Sequence, residues 1–338
     1  MTGPLWISEQ DVVSLLSLPQ AIDALRDGLR EEAAGHATNM IKTHVLWGSG
    51  ATLHAIGAVF DRAGIAGAKT WAHTPGGAMP LLILIDANDG SVLAIVEAFA
   101  LGQMRTGGIS GLATDLMARQ DARRMAMIGT GKQSLAQIAA VAAVRSLDRV
   151  TIWSPTPGKR EALAKEVGKT LELDAIATDT LEEALEGADV VTLATRAKTP
   201  FLSQAALDPG THLNAVGAIT PERAEFASAL LSRASRISAD SIPQVRKLSR
   251  EFIDAFGDDE AEWARVSPLS ALVADRPDRH AGDDLTVFKA MGMGISDLAL
   301  GATVLRLAER AGLGRRLTRP ERAPIRLRDT AHPSEIDQ

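Results

Sequence analysis

Apolar and polar positions along the chain follow two different schemes. After Pro19, Ile22, Leu25 and Leu29 recur at helical spacing, and a proline in the first turn suits a helix start. Residues 81–85 and 91–96 are strand-like apolar runs, and Asp86-Ala87-Asn88-Asp89-Gly90 between them carries the turn residues of a β-hairpin. A long helix is predicted over 101–119, with Arg105 and Thr106 near its start. The first hundred residues therefore read as antiparallel β with flanking helix.

From Arg124 onward, short apolar strands alternate with helices. Strands are predicted at 125–128, 150–153, 190–194, 213–217, 236–239 and 286–289, with helices at 134–144, 157–167, around 181–185 and at 296–311. Such alternation predicts an α/β fold with a Rossmann-type, doubly wound parallel sheet. The expected division is a dinucleotide-binding domain over 113–297 and a smaller α+β domain over 1–112. About 298–330 return to that smaller domain, which makes it discontinuous. Residues 315–338, rich in Arg, Pro and acidic positions, read as a tail.

Composition narrows the class. The chain has 338 residues and a net charge of −6, without a Lys/Arg run, so nucleic-acid binding is not expected. It has no cysteine, which removes disulfides, zinc knuckles and thiolate catalysis, and no metal site is expected. No apolar run reaches the roughly 18 residues of a membrane span, and the mixed, acidic start lacks a signal-peptide pattern. A cytoplasmic enzyme without a membrane partner is the expectation.

The first chemical signal is Ile128-Gly129-Thr130-Gly131-Lys132-Gln133, between a strand and a helix. Such a turn lets backbone approach a pyrophosphate, while the helix start offers N–H donors and a positive dipole end. Ser134 stands where the third glycine of the fingerprint falls, and a small residue there still allows close packing. At the end of the next strand no Asp or Glu is available for the ribose hydroxyls. Ser154 and Thr156 there are suited to hydrogen-bonding a 2′-phosphate, with Lys159 or Arg160 neutralising it. NADP(H) is thus favoured and NAD(H) possible, although both cations are equally readable as solvated helix charges.

Taken together, the motifs resemble the ornithine cyclodeaminase/mu-crystallin family over roughly residues 7–314. In order they are Gly67-Ala68-Lys69, the hairpin ending at Gly90, Met104-Arg105-Thr106-Gly107-Gly108, and the turn at Gly129. Residues 210–218 and 286–292, leading to Asp297, complete the set. The resemblance implies a homodimer whose first domain binds substrate and pairs the subunits, and hydride transfer at the α-carbon of an amino or imino acid. It places Lys69 and Arg105 on the substrate carboxylate, with Lys42 where members commonly have arginine. Thr106, Thr130, Lys132, Gln133, Thr195, Asn214, Val216, Gly217, Lys289 and Gly292 fall in cofactor-binding segments. Asp297 is read either as acting near the substrate or as a carboxylate favoured by the helix dipole.

Cyclodeaminases carry an aspartate just after the Val-Gly segment; here Val216-Gly217-Ala218 is followed by Ile219. Isoleucine neither accepts a proton nor holds a cationic amine. An imine or ketimine reductase, equivalently an amino-acid dehydrogenase run in reverse, is therefore expected. A cyclodeaminase and a non-catalytic ligand-binding protein are the alternatives. His73, in the loop-like stretch 71–77, is a candidate proton donor to the imine.

Overall fold

The computed structural model describes residues 3–48, 50–277, 279 and 282–327. The first sheet takes β1 (Leu5–Ile7), β2 (Ala37–Asn39), β3 (Thr43–Trp47), β4 (Ala51–Phe60), β5 (Ile65–His73), β6 (Leu81–Asp86) and β7 (Val92–Glu97). The run from β3 to β7 is antiparallel with neighbouring strands paired in sequence order, whereas β1 lies parallel to β7. Three helices stand nearby: α1 (Glu9–Leu15), α2 (Leu18–Ala33) and α3 (Phe99–Met117).

The second sheet is wholly parallel. Its strands are β8 (Arg124–Ile128), β9 (Arg149–Trp153), β10 (Ala175–Ala177), β11 (Val190–Leu193), β12 (Thr211–Ala215), β13 (Ala234–Ala239), β14 (Val266–Pro268) and β15 (Leu285–Lys289). They lie in the order β10-β9-β8-β11-β12-β15-β13-β14. Chain direction across the sheet reverses between β8 and β11, and such a switch point opens a crevice at the carboxyl ends of the strands. Helices α4 (Ser134–Ala142) and α5 (Pro157–Leu171) follow β8 and β9. Separate apolar clusters cover the two faces, as a buried parallel sheet requires.

A closing helix, Gly294–Ala311, returns to the first domain and packs on β4, β5 and β6. Its start precedes the expected boundary at 297/298, and α3 spans the expected boundary at 112/113, so both cuts fall inside helices. The segment expected to begin a tail instead opens with β16 (Arg315–Arg316), an edge strand antiparallel to β1. Residues 328–338 of that expected tail lie outside the described residues. One apolar cluster joins the halves, because Ala140, Val216, Leu269 and Phe288 pack with Leu25, Ile109 and Leu298.

Candidate active site

Antiparallel register sets the first wall. Residues opposed across two strands share a sheet face, so Lys69 lies with Ile56, and Trp71 with His54. This face is covered by the closing helix, which brings Asp297 in its first turn onto Lys69. Lys69 Nζ donates to Asp297 Oδ1 at 2.6 Å, and Arg105 Nε of α3 stands 3.4 Å from the same oxygen. Lys69 and Asp297 are 4% and 1% exposed, which places this ion pair in the interior. Arg105 Nε and Asp297 Oδ2 are buried and make no hydrogen bond among the described residues, which marks the site as polar beyond what its own pairing satisfies.

Burial pulls the Lys69 ammonium down to about 8, with Asp297 opposing the shift and Arg105 adding to it. Burial also lowers Lys42, helped by Arg105 and opposed by Asp240 and Asp297. Asp240, just beyond β13, accepts the N–H groups of Met291 and Gly292 at 2.8 and 2.7 Å. Burial raises its pKa, while those N–H groups, Arg105 and Lys42 restrain it. Lys69, Lys42 and Arg105 thus share one electrostatic neighbourhood with Asp297 and Asp240, and cations so placed suit a carboxylate ligand.

Trp71 stacks on His54 with centroids 4.7 Å apart, and Lys69 Nζ lies 5.2 Å from the indole centroid. His54 also shares a hydrogen bond with the Thr52 hydroxyl at 2.7 Å. Burial and then the Lys42 cation depress His54 to about 4, so its imidazole is neutral at physiological pH. His73 is exposed at the end of β5, about 13 Å along the strand from Lys69. His73, expected as a candidate proton donor, thus stands at the rim of this face, whereas Lys69 lies buried within it.

The second wall is the turn after β8. Gly129 has φ +114°, and a Cβ there would stand 2.5 Å from the Ala194 carbonyl oxygen, so only glycine fits. Gly131 faces open space, where backbone can meet phosphate. No side chain caps the start of α4, and no acid stands in its first turn, which leaves N–H groups for an anion. Ser134 Oγ closes the turn on the Gly129 carbonyl at 2.9 Å. Lys132 is exposed, its Nζ 5.9 Å from the Phe99 ring centroid, and the buried Gln133 Oε1 makes no hydrogen bond among the described residues. Thr130 Oγ1 donates to Ser154 Oγ at 3.2 Å, tying the turn to the end of β9. These features of the turn fit a dinucleotide pyrophosphate.

Several expected cofactor contacts have other employment. Arg160 is 7% exposed and binds the Ser154 and Asp179 carbonyls and, at 2.6 Å, the Asp179 carboxylate. It braces the loop after β9, so of the two expected 2′-phosphate cations only Lys159 is exposed. Asn214 is fully buried and bonds Thr114 Oγ1 of α3 and His212, making an interdomain tie of a residue expected near the nicotinamide. Lys289 is also fully buried, and its Nζ donates to the Ala218 carbonyl at 2.6 Å. Thr106 returns its hydroxyl to the Gly102 carbonyl, and its own carbonyl accepts from Gln137 of α4. Thr195, Val216 and Gly217 do stand at the strand ends beside the switch point. Gly292 packs beside Arg105, since a Cβ on it would lie 3.0 Å from Nη1. Ile219 is half-buried among the apolar residues of the second domain.

Asp240, His54 and Glu225 were missed. Asp240 had one signal, its place directly after a strand at the carboxyl edge of the sheet. Among the described residues no cluster of three or more His, Asp or Glu side chains could hold a metal ion, and no helix is long and apolar enough to cross a membrane.

A doubly wound sheet with an open helix start, set against a buried cationic pocket, defines a dinucleotide-dependent enzyme that holds a small carboxylate. The chain belongs to the ornithine cyclodeaminase/mu-crystallin family, which it matches over residues 5–311. It is 29% identical over 244 residues to Δ1-pyrroline-2-carboxylate reductase of Bacillus cereus, covering 70% of this chain and 73% of that protein. The structure of Δ1-pyrroline-2-carboxylate reductase of Thermococcus litoralis, in complex with NADH and L-proline, superposes with a TM-score of 0.86. That match has 25% identity and covers 93% of this chain and all (100%) of the other. The iminosuccinate reductase of Paracoccus denitrificans in complex with NAD+ gives a TM-score of 0.87 at 26% identity, over 94% and 99% of the two chains.

Proposed function

We propose that the protein is an NAD(P)H-dependent imino-acid reductase acting on a small α-imino carboxylate, cyclic or open-chain. The observation that carries this is the meeting of Lys69, Arg105 and Asp297 in one buried pocket, while Ile219 occupies the cyclodeaminase aspartate position. Arg105 and Lys42 hold the substrate carboxylate and thereby fix the α-carbon. Lys69, poised near pH 8 and oriented by Asp297, supplies the proton that the imine nitrogen gains. Residues 129–134 would hold a nicotinamide dinucleotide, which when bound would supply the hydride that the α-carbon gains. The C=N bond becomes C–N with one hydride and one proton added, and the product is an amino acid.

NADP(H) remains our favoured cofactor, now supported by Thr156, Lys159 and the lack of a ribose-binding acid, without Arg160. The relatives named above were solved with NADH and NAD+, so NAD(H) is the competing choice. The proposal includes a homodimer. On the sheet face turned from the closing helix, Val45 and Leu53 are 65% and 48% exposed, and this apolar face continues through the half-buried Ile83 and Ile95. A second copy is the occupant that would cover it.

The test offers NADPH and NADH separately with Δ1-pyrroline-2-carboxylate and with iminosuccinate. Consumption of the cofactor with matching amino-acid formation supports the reading, and a larger kcat/KM with NADPH supports the cofactor choice. No consumption with any imino acid would contradict the reading.

A further inference from the structure

The ladder between β11 and β12 ends at Leu193 and Ala215, with one further bond from Val216 N–H to the Leu193 carbonyl. Beyond it the N–H groups of Thr195, Gly217 and Ala218 need an acceptor, and a single carboxylate takes all three. Glu225 Oε1 accepts from Thr195 at 2.6 Å, and Oε2 accepts from Gly217 and Ala218 at 2.8 and 3.0 Å. Gly217 leaves the necessary room, because a Cβ there would stand 2.3 Å from the Thr195 backbone and 2.4 Å from Glu225 Oε1. Lys289 Nζ holds the Ala218 carbonyl, so this short segment is gripped through both its donors and its acceptor.

Glu225 is itself pinned. Its carbonyl accepts from Phe201 and Leu202 N–H, and its own N–H donates to Glu251 Oε1. Ser249 donates to Glu251 Oε2, and Lys289 Nζ stands 3.7 Å from that oxygen. Glu225, Glu251 and Lys289 are all essentially inaccessible. Burying three charges costs several kcal/mol per ion before pairing offsets it. Yet the backbone they hold is only the ends of β11 and β12, at the carboxyl edge of the sheet beside the switch point between β8 and β11, the edge at which such sheets take their ligands.

We infer that Glu225 is a positioning residue for the nicotinamide end of the dinucleotide site, acting through the Thr195 and Gly217–Ala218 backbone with Lys289 as its counterpart. The inference rests on the dinucleotide reading above, though on no particular substrate. Burial raises the Glu225 pKa, and Lys289 is the largest influence that lowers it.

Glu225→Gln replaces one acceptor oxygen with an NH2 group that confronts N–H donors, whereas Glu225→Asp keeps the charge and shortens the reach. The dissociation constants of NADPH and of adenosine 2′,5′-bisphosphate, which lacks the nicotinamide half, are measured on each variant. We expect NADPH to bind roughly tenfold or more weakly to Glu225→Gln, with the fragment unchanged and partial recovery in Glu225→Asp. Equal loss for both ligands, or no loss for either in a folded variant, overturns the inference. Hydrogen exchange on the wild-type protein supplies an arm independent of variant folding. Protected amides at 195, 217 and 218 before cofactor is added support a preformed clamp, and free exchange there overturns it. Wild-type protein that binds neither NADPH nor NADH contradicts the dinucleotide reading instead.

Discussion

Lys69 combines two demands that pull its proton in opposite directions. The interior disfavours the ammonium, and Asp297 at 2.6 Å favours it, so the group titrates near 8 where an exposed lysine would hold its proton past 10. If the ammonium is the acid in imine reduction, kcat/KM is level below that pH and falls as pH rises through about 8. Because the folded pKa lies below the unfolded one, the unfolded chain binds more protons between the two values. This group's contribution to stability therefore rises with pH across that window. A profile that stays level through the same range contradicts the assignment. For Arg105→Ala the expected change is a KM for the imino acid raised roughly 100-fold, about 3 kcal/mol, with a smaller fall in kcat. Steady-state kinetics with KM unchanged would remove Arg105 from the carboxylate site.

Helix α3 carries Arg105, and α4 opens with the phosphate turn, so their packing sets the distance between the two halves of the site. Gly107 and Gly111 let the helices touch backbone to backbone: a Cβ on either would lie 2.7 Å from the Ala136 or Ala140 carbonyl oxygen. Gly107→Val should then cost about 1–3 kcal/mol by overpacking. It should also lower kcat/KM about tenfold or more by displacing Arg105 from the turn, since misplacement near 1 Å costs up to ~10²-fold. Thermal unfolding and kinetics on one preparation check both, and an unmoved Tm contradicts the packing account.

At this scale much of the order was legible beforehand. Apolar periodicity located the hairpin at Asp86, the strand before Gly129 and the helix carrying Arg105. Helix starts were less legible because they are capped from afar. Glu9 accepts the N–H groups of Phe99 and Ala100, and Asn39 that of Ile295, so both helices begin two residues earlier than periodicity predicts. The same physics hid Asp240 and Glu225, which act on backbone amides brought close only by the finished sheet. His54 needed the β4–β5 register before it could be placed beside Trp71. Lys289 and Asn214 were expected in cofactor-binding segments because they follow the family's motifs, and the hydrogen bonds they make to neighbouring backbone and side chains could not be read from those motifs.

For the whole molecule, the closing helix makes the pocket a joint product of two domains. It brings Asp297 to Lys69, while Asp240 of the second domain holds the turn leading into that helix. On the opposite face of the first sheet, the uncovered apolar surface through Val45, Leu53, Ile83 and Ile95 is where the proposed second copy would sit. Light scattering should give about twice the 35.7 kDa chain mass, and the double change Val45→Asp with Leu53→Asp should shift it towards one chain. A wild-type protein of single-chain mass contradicts the dimer.

The central claim concerns where the hydride goes, and isotope transfer reads it directly. The enzyme is given an α-imino carboxylate and NADPH carrying deuterium at the transferable position of the nicotinamide, and the amino-acid product is examined by mass spectrometry and NMR. The account predicts one deuterium at the α-carbon for each cofactor oxidised. Unlabelled product, or ammonia and proline released from ornithine with no net cofactor oxidation, would contradict it.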